Sequence, residues 1–177
     1  YGNKFAVRPL GAILPESTEE VQAIVKICNR FKIPFKAHGT GFGPGGMNAD
    51  APFLSIDLRF MDRIIEIDEK NMIAVFEPYV SFAALMNACI KKKVRPYIIG
   101  AGPSCSVLAN ATNVQGYGTT NVSAGFGGRV PLAVEWVMPD GEIMKMGTLG
   151  TSGQWFCGDG PGPSLRGIYR GSTGTMG

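Results

Sequence analysis

Apolar side chains recur along this chain at two spacings, and the switches between them mark the elements. After Pro15, the residues Val21, Ile24, Val25, Cys28 and Phe31 fall three or four positions apart. That spacing puts them on one face of a helix. Ser17 stands where an N-cap belongs, and Glu20 three residues later completes a capping box. Residues 1–14 read as an extended lead-in, and Ile33 to Ala37 as a short strand behind the helix. Strand, helix, strand predicts a parallel βαβ unit, since parallel neighbours need a crossover. A second helical stretch follows Pro78, with Ser81 as cap and Phe82, Leu85, Met86 and Cys89 on one face.

The remaining apolar runs have strand length. Phe53 to Leu58 reads as a buried strand. Ile64 to Ile67 and Met72 to Glu77 flank the polar turn Asp68-Glu69-Lys70-Asn71. Leu132 to Met138 and Glu142 to Met146 flank Pro139-Asp140-Gly141, and Asp-Gly between apolar runs is a strong hairpin signal. Residues 94–128 show little helical periodicity and read as loop. The tail from Gly147 is loop-like until Ser164, where a short helix is expected. The pattern predicts an α+β chain of two lobes, about 1–77 with the βαβ unit and about 78–177 with the Asp-Gly hairpin.

Composition narrows the function classes. A chain of 177 residues, 45% hydrophobic and 18% charged, can bury a core and argues against long disordered tails. The net charge of +3 is mild, and Lys91, Lys92 and Lys93 close an apolar helical pattern. They read as a solvated helix end, so no nucleic-acid partner is expected. No apolar run approaches the ~20 residues of a membrane span. The chain opens on Tyr1 rather than Met, which leaves room for an upstream segment. The cysteines at 28, 89, 105 and 157 form no C-x-x-C pair, and His38 is the single histidine. No metal site is expected, Cys28 and Cys89 read as buried core thiols, and a reduced, cytoplasmic setting fits.

Glycine is the outlier, with 25 residues gathered in clusters that aromatic and β-branched residues interrupt. The run His38-Gly39-Thr40-Gly41-Phe42-Gly43-Pro44-Gly45-Gly46-Met47 follows a predicted strand. Its glycines let consecutive backbone N–H groups converge on an anion such as a pyrophosphate. Pro44 and the glycines behind it argue against the following helix that a Rossmann fingerprint needs. A plain surface connection is the competing view of this loop. The stretch 103–120 carries many hydroxyls and amides and few charges, which suits a polar ligand such as a flavin, or a loop folded over the core. Arg166 and Arg170 stand among glycines and could hold phosphate or lie in solvent. No G-x-S-x-G elbow and no catalytic acid or base stands out. Chemistry supplied by a cofactor fits better than side-chain catalysis.

In order and distance these motifs resemble the FAD-binding domain of the vanillyl-alcohol oxidase and p-cresol methylhydroxylase superfamily, which includes glycolate oxidase subunits and D-lactate dehydrogenases. Pro15 to Phe31 resembles the family's P-x-S-T-E-E-V helix, and Ile33-Pro34 with the 38–46 loop resembles its pyrophosphate loop. Leu54 to Ile67 resembles L-D-L-S-x-M-x-x-I, and Glu77-Pro78 resembles E-P-G. Asn110 to Gly118 resembles the second flavin loop, Glu135 to Glu142 resembles E-V-V-L-P-D-G-E, and Gly171 to Gly177 resembles G-S-E-G-T-L-G. Each motif alone is common; the ordered set is specific.

The resemblance implies a two-lobed fold of the p-cresol methylhydroxylase type, with a mixed-sheet second lobe and FAD between the lobes. It implies that Ala37, His38, Gly39, Thr40, Gly41, Phe42, Gly43 and Gly45 surround the pyrophosphate. Pro103, Ser104, Ser106, Ala109, Asn110, Asn113, Gly116, Tyr117 and Gly118, with residues 171–177, would lie near the rest of FAD. It further implies an FAD-dependent oxidoreductase that moves a hydride from an alcohol or 2-hydroxy acid to flavin N5. A small-molecule substrate follows, with an electron-acceptor protein or sister subunit as partner. The substrate-binding cap is expected beyond residue 177. A non-catalytic flavin-binding or electron-transfer subunit is the alternative. Three departures stand out: His38 in place of Arg, Leu108-Ala109 in place of Gly-Gly, and Thr173 in place of Glu. Phe42 occupies the place of the flavin-linking His of berberine-bridge-type relatives, so no covalent bond is expected there.

Overall fold

The structure, a computed structural model, describes residues 7–42, 51–97, 100, 102–112, 118, 121–125, 130–154, 165–172 and 174–177. Helix α1 (Thr18–Phe31) starts where the sequence placed it, with the Ser17 hydroxyl accepting the Glu20 N–H at 3.2 Å. The Glu20 carboxylate reaches back one residue further than expected, to the Glu16 N–H at 2.8 Å. Val25 and Cys28 are buried. Phe31 is not: it is 63% exposed, with the Arg30 guanidinium over its ring. It sits on the last turn, where the chain leaves the helix, beyond the buried part of the stripe. The exit is a Schellman turn in which Ile33 N–H bonds Cys28 O and Lys32 N–H bonds Asn29 O. Lys32 occupies the left-handed region at φ 54°. A side chain there costs about 1 kcal/mol relative to glycine. Lys32→Gly is therefore expected to raise stability by roughly that amount in urea unfolding.

The helix connects two strands of a parallel sheet, though not adjacent ones. Strands β1 (Gly11–Ile13), β2 (Phe35–His38) and β3 (Leu54–Asp57) lie in the order β1-β3-β2. The supposed lead-in thus supplies an edge strand, and β3 fills the centre between the two strands of the βαβ unit. Central position explains why Phe53, Ser55, Ile56 and Asp57 are all buried, polar residues included. Asp57 stands opposite His38 at the C-terminal ends of their strands.

The next pair, β4 (Ile64–Asp68) and β5 (Ile73–Phe76), is the expected antiparallel hairpin. The Asp68 carboxylate holds its turn by accepting the N–H groups of Lys70 and Asn71. Helix α2 (Phe82–Lys91) carries its N-cap on Ser81, and Leu85 and Cys89 pack with Val80 against the β4–β5 hairpin. Three short helices, α3 (Val107–Thr112), α4 (Asn121–Ala124) and α5 (Leu149–Ser152), lie where the sequence reading expected loop. None is long enough to display a period. A 3₁₀ turn at Leu165–Gly167 stands where a short helix was expected near Ser164. Strands β6 (Val134–Val137) and β7 (Ile143–Met146) form the Asp-Gly hairpin. Among the described residues the second half holds this antiparallel pair and no parallel strand.

One side of α1 was invisible to a hydrophobic reading. Thr18, Gln22, Lys26 and Asn29 recur at helical spacing and all reach the β6–β7 hairpin. Thr18 Oγ1 donates to Glu135 at 2.9 Å, Gln22 Nε2 to Gly141 O at 2.6 Å and Asn29 Nδ2 to Pro139 O at 2.7 Å. Lys26 pairs with Glu142 at 3.1 Å. Polar contacts therefore tie the N-terminal sheet to a hairpin more than a hundred residues away. Behind the hairpin, Val134, Met146 and Tyr169 form a core to which Leu108 of α3 adds. Tyr169 is fully buried and stacks on Trp136 with ring centroids 5.3 Å apart.

Cys28, Cys89 and Cys105 are buried and free, and burial pushes all three thiols up, which suits core residues. Cys157 lies outside the described residues.

Two buried carboxylates lock the ends of β3 and β5. Asp57 accepts the Arg59 N–H and two guanidinium N–H groups, and Glu77 does the same with Arg63. Burial alone would push both carboxyls up. The arginine hydrogen bonds and charge outweigh it, helped at Asp57 by His38, and both lie below the ordinary carboxylate range. A carboxylate depressed in the folded state contributes stability above its unfolded pKa, and that contribution is lost as pH falls through the folded value. Stability is therefore expected to fall as pH drops below about 4, the ordinary carboxylate range. Urea unfolding of an Asp57→Asn, Glu77→Gln variant should show a shallower acid slope.

Candidate cofactor site

The C-terminal ends of β2 and β3 face the place where a ligand belongs on a parallel sheet. His38 closes β2, and its carbonyl accepts the Leu58 N–H at 3.0 Å, so the sheet ends there. The chain then enters the glycine loop. Among the described residues, the N–H groups of Gly39, Thr40, Gly41 and Phe42 donate to no protein acceptor. A Cβ on Gly39 would meet nothing within 4 Å, and Gly41 takes φ +70°, the left-handed region. Bare consecutive amides with no side chains over them make an anion nest. Gly43 and Gly45 lie outside the described residues.

The second predicted segment comes to meet the first. Thr40 Oγ1 accepts the Ser106 N–H at 2.9 Å, across 66 positions of sequence. The Phe42 ring lies against Gly102, where a Cβ would be 3.4 Å away. Residues 103–107 are stitched to the start of α2: Phe82 N–H bonds Cys105 O, Ala83 N–H bonds Pro103 O and Val107 N–H bonds Val80 O. An open groove of about 570 Å³ runs between these parts, lined by Thr40, Asp62, Tyr79 to Ser81, Ala83, Ala84, Pro103 and Ser104. The third segment also arrives. Gly171 N–H bonds Thr112 O at 2.8 Å, and a Cβ on Gly174 would lie 3.9 Å from Ala37 O.

The predicted residues differ in what they already bond. Ser106 is fully buried; its hydroxyl donates to Pro78 O at 2.6 Å and accepts Ala109 N–H at 3.1 Å. Ser106 and Ala109 N–H are thereby spent on building the loop and starting α3. Asn110 differs. It is 2% exposed, and among the described residues its Oδ1 meets no donor. A buried acceptor left unpaired costs about 1–3 kcal/mol. Gly118 is half-buried in an isolated bridge, whereas Asn113, Gly116 and Tyr117 lie outside the described residues. Sequence reasoning missed Arg59. Held by Asp57 at the sheet end where β2 closes on His38, and close enough to feel Tyr79, it is a cation at the same edge of the sheet as the glycine loop. The signal was Asp-x-Arg directly after a buried strand.

A nest of bare amides beside a groove and a buried unpaired acceptor fit a dinucleotide with hydroxyl and ring donors. A family model described as an FAD binding domain matches residues 9–147. The chain belongs to this family of FAD-binding domains. FAD is its cofactor, and the resemblance to the p-cresol methylhydroxylase superfamily is borne out. The FAD-binding domain is 27% identical to a probable mitochondrial D-lactate dehydrogenase of Danio rerio, covering 93% of the chain and 32% of that protein. It is 28% identical to the flavoprotein subunit of 4-cresol dehydrogenase (hydroxylating) of Pseudomonas putida, over 91% of the chain and 32% of that protein. Among solved structures, 4-ethylphenol oxidase from Gulosibacter chungangensis superposes with a TM-score of 0.79 at 30% identity, covering 95% of the chain and 34% of the oxidase. The FAD-binding domain thus spans about a third of the length of the relatives it matches. Among the described residues no helix is long and apolar enough to cross a membrane.

Proposed function

We propose that this domain holds the FAD of an oxidoreductase that oxidises an alcohol or 2-hydroxy acid carbon. The convergence of bare loop amides at Gly39–Phe42 with the 102–110 segment carries the proposal. When bound, FAD supplies the electron-accepting ring. The residues of this chain bind and orient it. The amides of Gly39 to Phe42 hold the diphosphate, with Arg59 adding positive charge. Thr40 fixes the loop against Ser106, so the amides stay aimed without rearranging when FAD arrives. Asn110 Oδ1 accepts from an FAD hydroxyl or ring N–H. The lobe boundary near residue 77 belongs to the same picture, since the groove is lined by residues from both sides of it.

The names of the matched relatives support oxidation of hydroxy acids or phenols. One matched relative is called a flavoprotein subunit, which supports a sister subunit as partner. Titration of the purified protein with FAD, followed by flavin fluorescence and absorption, tests the reading. Saturable binding with a yellow product is expected; a protein that ignores FAD would sink it.

A further inference from the structure

His38 is the chain's single histidine, and it ends β2 where the glycine loop leaves the sheet. Its ring turns under that loop. Cε1 lies 3.2 Å and Nε2 3.5 Å from the place a Cβ on Gly41 would take, an approach for which glycine leaves room. The imidazole therefore sits against the run of N–H groups, Gly39 to Phe42, that find no protein acceptor among the described residues. Their partial positive charges disfavour a proton on the ring while no anion is present, and a bound diphosphate reverses that. A histidine changes charge between about pH 5 and 8, where no other unperturbed side chain does. The groups around this one hold their charge there. Asp57 stands opposite His38 across the β2–β3 pair. Burial pushes its carboxyl up, but the Arg59 hydrogen bonds and charge outweigh that, so the pair stays ionised. The Cys105 thiol, which meets Thr40 of the loop, is pushed up by burial. Lys36, two residues back on the same face of β2, adds a cation. The segment 174–177, whose Gly174 approaches Ala37 O, brings no ionisable side chain.

We propose that His38 couples a proton to the hold on FAD: the imidazolium clamps the diphosphate and the neutral ring loosens it, so FAD is taken up as pH falls and shed as pH rises. The inference rests on FAD binding as proposed above and adds its control. The sign follows from charge. The diphosphate keeps its negative charge across this range, so a proton on His38 adds attraction without altering the ligand. Linkage requires the converse, that bound FAD makes His38 the stronger base. An opposite charge within about 4–6 Å moves a titration midpoint by at least about one pH unit, which corresponds to about tenfold in affinity. The Thr40 bond to Ser106 N–H anchors the loop over the ring, so the proton acts on a fixed seat.

FAD affinity, measured by flavin fluorescence from about pH 5.5 to about pH 8 for the unaltered protein and for His38→Gln and His38→Arg, tests this without turnover. The unaltered protein should bind FAD about tenfold tighter at the acid end. His38→Gln should be flat at the weaker level, since an amide carries no charge. His38→Arg should be flat at the tighter level, since a guanidinium keeps its charge throughout. The Cε1 proton of the single histidine gives one assignable NMR signal, and its titration midpoint should rise by about one pH unit when FAD is added. That measurement uses the unaltered protein and decides the matter even where a variant fails to fold. An FAD affinity that ignores pH, a pH slope kept by His38→Gln, or a midpoint that FAD does not move would overturn the proton coupling while FAD binding stands. Failure of the unaltered protein to bind FAD at any pH would overturn both proposals.

Discussion

Gly41→Val is expected to lower FAD affinity about a hundredfold while the protein still folds. Gly41 has φ +70°, a conformation that a β-branched residue adopts only with strain, and its Cβ would lie 3.2 Å from the His38 ring. The loop must re-form with a different φ, and its amides then point elsewhere. Two lost hydrogen bonds to a charged group come to about 3 kcal/mol, which is roughly that hundredfold. Gly39→Ala separates aiming from access. No protein atom lies within 4 Å of its Cβ position, so apo stability should not change. Its methyl would nevertheless occupy space the ligand needs, and a smaller loss of affinity is expected. Fluorescence titration with FAD, beside thermal melts of the apo proteins, reads both effects. Full affinity in Gly41→Val would mean that the loop is only a connection.

Gly150→Ala is expected to be a strongly damaging methyl addition away from the glycine loop. Helix α5 turns back directly onto β7, and a Cβ at Gly150 would overlap the carbonyl oxygen of Lys145. That obstacle is backbone, so no rotamer change relieves it. Parting the two segments would disturb the hairpin core of Val134, Met146 and Tyr169. Overpacking of this kind costs about 1–3 kcal/mol. Gly153→Ala is the comparison: φ is +71° but the surrounding space is open, so only the backbone cost of about 1 kcal/mol applies. Urea unfolding should rank Gly150→Ala well below Gly153→Ala. Equal losses would show that α5 gives way freely.

The two predictions differ in where they act. The Gly150 contact holds hairpin and helix together and is felt with or without ligand. The Gly41 backbone does little for the apo fold, because among the described residues its N–H has no protein partner to lose. In the proposed site, donors left unpaired until a ligand arrives would give up stability for binding, and the buried Oδ1 of Asn110 would follow the same logic.

The chain's own order of residues was enough for much of this. Ser17 and Ser81 as caps, the stripe of Val25 and Cys28, and the Asp140-Gly141 turn are local features, settled by atoms a few residues apart. The glycine loop was legible for the same reason, since glycine's freedom is a property of the residue itself. Tertiary structure alone decided that β3 lies between β1 and β2, that Thr18, Gln22 and Asn29 grip a hairpin, and that the Ser106 hydroxyl bonds Pro78 O. These outcomes depend on partners 20 to over 100 residues away, and no local period or propensity encodes which distant carbonyl a side chain will meet. Exposure of Phe31 and burial of Asp57 have the same origin: the neighbours, and not the residue type, fix what water can reach.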